Sequence, residues 1–365
     1  MNNFNHSLLV LAREARGLTQ AELSLRAGIG QGTLSKYETG TQPPSDDAVE
    51  TLASTLGFPV PFFSQPGQPY GFPPYHYRRR KKLSAKALGR IVAEMNIRRM
   101  HVQKLLVSYQ SNINWRIPEI DRDEYYGRST KRLDIEDVAR VVRESWMVPR
   151  GPIPNMIELL ENNGAVVIPC DFGTDLIDAM SQRIDGCPCM IFVNMHTPAD
   201  RLRLTLAHEL GHMILHTITL QDDEAMEDEA DSFAGAFLLP ADEIRPQLRR
   251  FDLRQLANLK GYWKVSMAAL AVRADRLRLI TEYQKKNFWM EMGRLGYRKR
   301  EPNEPPREEA RLLKAMVAYH KNKLGYSSAE MASLLHLLPA EFETMYAPDV
   351  FGTPESRRPN LRVVQ

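Results

Sequence analysis

The segment Leu204-Thr-Leu-Ala-His208-Glu209-Leu210-Gly211-His212-Met-Ile-Leu215 decides how the rest of the chain is read. Its two histidines stand four residues apart, so on an α-helix they share one face and can hold the same metal ion. Glu209 stands beside them. Zinc (Zn2+) prefers neutral imidazole nitrogens, and a catalytic zinc site adds a third protein ligand while keeping one position open for water. After a loop, Glu227-Asp-Glu-Ala-Asp231-Ser-Phe-Ala234 supplies carboxylates. Glu227, Ala230, Asp231 and Ala234 fall on one helical face, where the small alanines allow a second helix to come close. Glu227 is the expected third ligand and Glu229 the alternative. Asp231, one turn beyond Glu227, is placed to hydrogen-bond a ligand histidine and fix its tautomer.

Upstream of this pair of helices, Ile157 to Asn163 reads as a short helix ended by Gly164. Two apolar runs follow, Ala165 to Ile168 and Met190 to Val193, and they imply a small sheet. Asp134, with Asp137 three residues on, opens a helix expected to reach residue 147. Downstream, a helical pattern runs from Leu253 to Ile280. Glu301 to Pro306 is a charged, Pro-rich break, followed by helical patterns over Arg307 to Lys323 and Ser327 to Leu338 and a polar tail from Ala347. The fold class is therefore α+β, mainly α with a small β-sheet.

At the other end of the chain, apolar positions recur at helical spacing in short segments from Ser7 to Leu56, broken at Gly17, Gly28 to Gly32, Gly40 and Pro43-Pro44. Thr19-Gln-Ala-Glu22 is a capping box that starts a helix. A tight Gly-containing turn then leads to Gln31-Gly-Thr-Leu-Ser-Lys-Tyr-Glu-Thr-Gly40, the helix-turn-helix arrangement. Leu34 and Tyr37 face the core on this reading, leaving Gln31, Thr33, Ser35 and Lys36 exposed near the end that enters the major groove. Gln and Thr suit base edges, and Lys suits a guanine or a phosphate. The organisation is a helix-turn-helix domain over 1–64, a Pro/aromatic and basic linker over 65–82, a metal-site domain over 83–300 with a helical extension at 252–290, and a C-terminal helical region with its tail over 301–365.

The 365 residues carry a net charge of +3, and the basic character is one block: residues 76–110 hold ten Lys and Arg against a single acidic residue, Glu94. Arg78 to Lys82, with Lys86, Arg90, Arg98 and Arg99, either grip the phosphate backbone beside the reading head or form a solvated linker and helix face. No apolar run approaches the roughly 20 residues of a membrane helix, so no membrane partner is expected. Cys170, Cys187 and Cys189 lack the spacing of a disulfide framework, and with no secretory signal at the N-terminus the expected location is cytoplasmic. Cys187-Pro-Cys189 also lacks the gap of a zinc knuckle and reads as a strand edge.

Two resemblances carry this further. The pattern L-T-Q-A-E-L, A-G-I, T-L-S-K-Y-E-T-G, P-P-S resembles the helix-turn-helix of phage-repressor and xenobiotic-response-element-type regulators. That resemblance implies base-proximal roles for Gln31, Gly32, Thr33 and Lys36 and structural roles for Glu38 and Gly40. T-L-A-H-E-L-G-H-x-x-L-H followed by E-x-x-A-D-x-F-A-x-x-L-L-P resembles the ImmA/IrrE family of metallopeptidases. This second likeness implies a zincin-like domain with His208, His212 and Glu227 on zinc and Glu209 as general base, and family members are implied to cleave transcriptional repressors.

The expected protein is thus a transcriptional regulator that binds double-stranded operator DNA, with a linked zinc endopeptidase acting on a repressor protein or on itself. A homodimer on a palindromic site is the expected assembly. Two alternatives stay open: a regulator whose peptidase-like domain senses a ligand or partner without turnover, and the antitoxin of a toxin–antitoxin pair. For oxyanion stabilisation only Tyr262 and His216 offer themselves, and His216 is better suited to packing or capping the helix end.

Overall fold

In the computed structural model, residues 4–71, 83–120, 134–184, 186–216 and 223–346 are described. The basic cluster Arg78 to Lys82 and the tail from Ala347 lie outside them. No helix among the described residues is long and apolar enough to cross a membrane.

Helices α1 (His6–Ala15), α2 (Gln20–Ala27), α3 (Gln31–Glu38) and α4 (Asp46–Leu56) build the N-terminal unit. The Thr19–Glu22 capping box forms as the sequence predicts, and Gly28 ends α2 in the left-handed region at φ 66°. Leu9, Leu23, Leu34 and Leu52 meet in its core with Phe58, Phe62 and Phe63. Ala93 and Ile97 enter the same core from α5 (Ala85–Leu106), the long helix whose first turn is capped by Ser84. Other apolar positions of α5, Ile91, Met95, Val102 and Leu105, join a second core that includes the sheet. One helix therefore ties the reading head to the rest of the molecule. Its basic residues are partly turned inward: Arg98 and Arg99 are buried, Arg98 against Glu94 and the Tyr346 ring, Arg99 against the Tyr70 ring. Lys86 stays at the surface, paired with Glu22. Arg98 and Arg99 are not available to a phosphate backbone.

The next elements are α6 (Ile135–Ser145), α7 (Met156–Asn162), β1 (Ala165–Cys170), β2 (Ala179–Gln182) and β3 (Cys189–Asn194). The strand order is β1-β3-β2, with β1 parallel and β2 antiparallel to β3. The sequence pattern reveals β1 and β3 but not β2, whose Ala-Met-Ser-Gln is too short and mixed to stand out. Side chains alternate across the sheet as the pleat requires. Val167, Ile191 and Val193 face the core that holds the metal-motif helix, while Val166, Ile168, Met190 and Phe192 face the core beneath α5. Both faces are covered, so the strands read as continuous apolar runs.

Two long helices follow, α8 (Ala199–Leu215) and α9 (Asp223–Leu238), then the short α10 (Ala241–Ile244). The helix expected from Leu253 to Ile280 is two helices, α11 (Leu253–Trp263) and α12 (Met267–Arg276). Lys264 takes a left-handed conformation at φ 57°, and Ser266 starts the second helix by accepting from the Ala269 N–H. A serine cap offers the backbone an alternative to continuing the first helix. After α13 (Glu282–Arg294) the chain returns as an extended strap before α14 (Leu312–Asn322), α15 (Ser328–Leu335) and α16 (Pro339–Tyr346), which cover the far face of the sheet.

The strap is fastened by its glutamates. Glu301 accepts from the N–H groups of Met267 and Ala268 at the start of α12, Glu304 from Ala199 at the start of α8, and Glu308 from Met156 and Ile157 at the start of α7. Each carboxylate satisfies helix N–H groups that lack an intrahelical acceptor and lies at the positive end of the helix dipole. The Pro-rich break read from the sequence runs on past Glu308, because α14 begins at Leu312 and not at Arg307 as expected, and the whole strap is a clamp across three helix starts, one of them the metal-motif helix.

Candidate metal centre and DNA-reading face

α8 and α9 cross closely because Gly211 leaves room. A Cβ placed there would lie 3.2 Å from the Ala230 Cα and 3.2 Å from the Phe233 ring. Glycine at this point and alanine opposite let the two backbones approach until a side chain on α9 reaches the histidine face of α8.

The result is a compact set of ligand-type atoms. The Nε2 atoms of His208 and His212 lie 3.0 Å apart, and the Glu227 carboxylate lies 3.3 Å from His212 Nε2 and 3.7 Å from His208 Nε2. Among the described residues, His208, His212 and Glu227 form a group able to hold a metal ion. Tetrahedral zinc with bonds of 2.0–2.1 Å sets neighbouring ligand atoms about 3.3 Å apart, so these spacings and the two-imidazole, one-carboxylate donor set fit that ion. Of the two carboxylates that the spacing leaves open, Glu227 reaches both ring nitrogens. Glu229 instead sits 3.0 Å from Nε2 of His216.

Asp231 lies where the sequence places it, 2.7 Å from Nδ1 of His208. Burial disfavours charge on His208, but the Asp231 hydrogen bond and the negative Glu209, Asp231 and Glu227 outweigh it, and its pKa stands above the usual histidine value. The pocket thus favours positive charge at this spot. Glu209 is fully buried, and one of its oxygens accepts from the Ser181 hydroxyl at 2.8 Å. Ser181 belongs to β2, so the strand that sequence reasoning misses also carries a missed site residue. His216 ends α8 and is buried, with Nδ1 2.9 Å from Nδ1 of His212. Its spacing of four residues from His212 is the one signal in the sequence that could have revealed this contact. Tyr262 is largely exposed, and its hydroxyl lies beside Gly151.

In the N-terminal unit, Leu34 and Tyr37 of α3 are buried, whereas Gln31, Gly32 and Lys36 are exposed and Thr33 and Ser35 partly so. The five candidate DNA-contacting residues therefore lie outside the core. Glu38 accepts from Arg13 and Gln20 and so braces α3 against α1 and α2. Gly40 adopts φ 71°, and a Cβ there would come within 2.8 Å of the His6 ring, so two constraints meet at one glycine.

This fold and site define a chain that combines a helix-turn-helix head with a peptidase-like domain. Residues 9–63 match the model of a helix-turn-helix family, and residues 160–275 match that of peptidase family M78, an IrrE N-terminal-like domain. A comparison with curated proteins finds no match.

Proposed function

We propose that this protein is a transcriptional regulator that binds double-stranded operator DNA through α3 and uses its linked domain as a zinc-dependent endopeptidase on a repressor protein or on itself. The observation that supports the peptidase reading is the convergence of His208, His212 and Glu227 from two helices, with the buried carboxylate of Glu209 beside them. His208, His212 and Glu227 would hold the ion. Bound zinc polarises a peptide carbonyl and lowers the pKa of water from 15.7 to about 7. Glu209 takes the proton of the attacking water and returns it to the departing amine. Ser181 holds one Glu209 oxygen in place, and Asp231 holds His208 in a single orientation. For the reading head, a homodimer would present two α3 helices to the halves of a palindrome.

Metal analysis tests the site. Purified full-length protein is expected to carry about one zinc per chain and His208→Ala less than about a tenth of that, because two remaining ligands cannot compete with water and buffer. Full zinc in the variant would remove the site reading. For DNA, the double variant Gln31→Ala, Lys36→Ala is expected to bind a duplex selected by the wild-type protein at least about 10-fold more weakly, in line with the loss of base contacts worth about 1–3 kcal/mol each. Unchanged binding in a fluorescence anisotropy titration would move recognition away from α3.

A further inference from the structure

We infer that Glu229 and His216 form a positioning relay that fixes the tautomer of His212, leaving a lone pair on the nitrogen that faces His208 and Glu227. The inference rests on the reading of His208, His212 and Glu227 as the ligand set. It follows from counting protons along a chain of contacts. An ionised carboxylate only accepts, so Nε2 of His216, 3.0 Å from Glu229 Oε2, is the donor. Neutral imidazole carries one N–H, which makes Nδ1 of His216 an acceptor. That atom lies 2.9 Å from Nδ1 of His212, so His212 donates there and its Nε2 carries the lone pair. Asp231 does the same for His208 in one step, at 2.7 Å from Nδ1. With both rings neutral, both Nε2 atoms are electron-pair donors 3.0 Å apart, an arrangement that calls for a cation, either a metal ion or a proton on one ring, between them.

The relay also accounts for three of the four acids that α9 carries between residues 227 and 231, the fourth, Asp228, being paired with Arg276. Glu227 approaches both Nε2 atoms, while Asp231 orients one ring directly and Glu229 orients the other through His216. Neither His216 nor Glu229 reaches the reacting atoms on this account. They are positioning residues.

The test uses the full-length chain and zinc competition against a chromophoric chelator, with long-range nitrogen–proton NMR of the metal-free, histidine-labelled protein. In the wild type the NMR experiment is expected to place the His212 proton on Nδ1 and the His216 proton on Nε2. His216→Ala is expected to bind zinc about 10- to 100-fold more weakly, the usual effect of losing a group that orients a ligand histidine. His216→Asn, whose amide oxygen can stand in for the accepting Nδ1, is expected to recover most of that loss. A purely structural role would lower the thermal stability of both metal-free variants without separating their zinc affinities. Should His216→Ala fail to fold, Glu229→Gln, which lets the His216 proton move to Nδ1, is expected to weaken zinc and to shift the His212 proton towards Nε2. Wild-type zinc affinity in His216→Ala or Glu229→Gln, or a wild-type His212 proton on Nε2, overturns the relay alone. A wild-type chain that binds no zinc overturns the ligand set beneath it.

Discussion

Glu209→Gln is expected to lower cleavage of a repressor substrate, or of the chain itself, by about 10²- to 10⁴-fold, the contribution typical of a general base, while zinc content and operator binding stay at wild-type values. The substitution is nearly isosteric. Glutamine keeps an oxygen for the Ser181 hydroxyl, 2.8 Å away in the wild type, so the buried pocket need not rearrange. What it loses is the ability to accept a proton from water and to return it to the amine. Glu209 is not among the three side chains whose ligand atoms converge, so the metal content is expected to be insensitive to the change. The measurement is the rate of appearance of cleaved products on incubating wild type and variant with the cell's repressor proteins. Equal rates for both would exclude Glu209 as the base. Wild-type protein that carries zinc and cleaves nothing would favour a sensing role for the domain instead.

The parts of the fold that were legible from sequence are those specified by neighbours along the chain. Capping at Thr19 and Asp134, the left-handed glycines and the helix-spaced histidines are local events, and each stands where the spacing places it. Glu227 and Asp231, one turn apart on α9, were legible for the same reason. The unread parts depend on contacts far apart in sequence. β2 has no pattern of its own and exists because β3 offers it a partner. The role of Glu304 requires knowing that Ala199, more than a hundred residues earlier, begins a helix within its reach. Nor does α5's basic face announce which arginines are interior; Arg98 is inside because α16 brings Tyr346 over it.

Lys260→Met should destabilise the metal-free protein more than any surface substitution. The ammonium of Lys260 is completely buried and meets Asp200, in the first turn of α8, and Glu301, which caps α12 from the strap at 3.0 Å. Methionine keeps most of the volume, so the loss is electrostatic rather than a cavity. Two carboxylates, each less than a tenth exposed, are left without their cation, and breaking a buried pair in this way costs about 3–5 kcal/mol. In a domain of 150–250 residues each kcal/mol moves Tm by about 2–4 °C, giving an expected drop on the order of 10 °C by scanning calorimetry. Adding Asp200→Asn and Glu301→Gln to the same chain removes the stranded charges and is expected to recover more than half of the loss. This recovery separates a desolvated ion cluster from simple packing, since a packing defect at residue 260 would be worsened by two further changes. The effect should also reach the metal centre, because Asp200 and the histidines ride on one helix whose start is held by Lys260 and Glu304. A Lys260→Met protein that melts within about 2 °C of wild type would show that the cluster is solvated and that α8 is held by its packing alone.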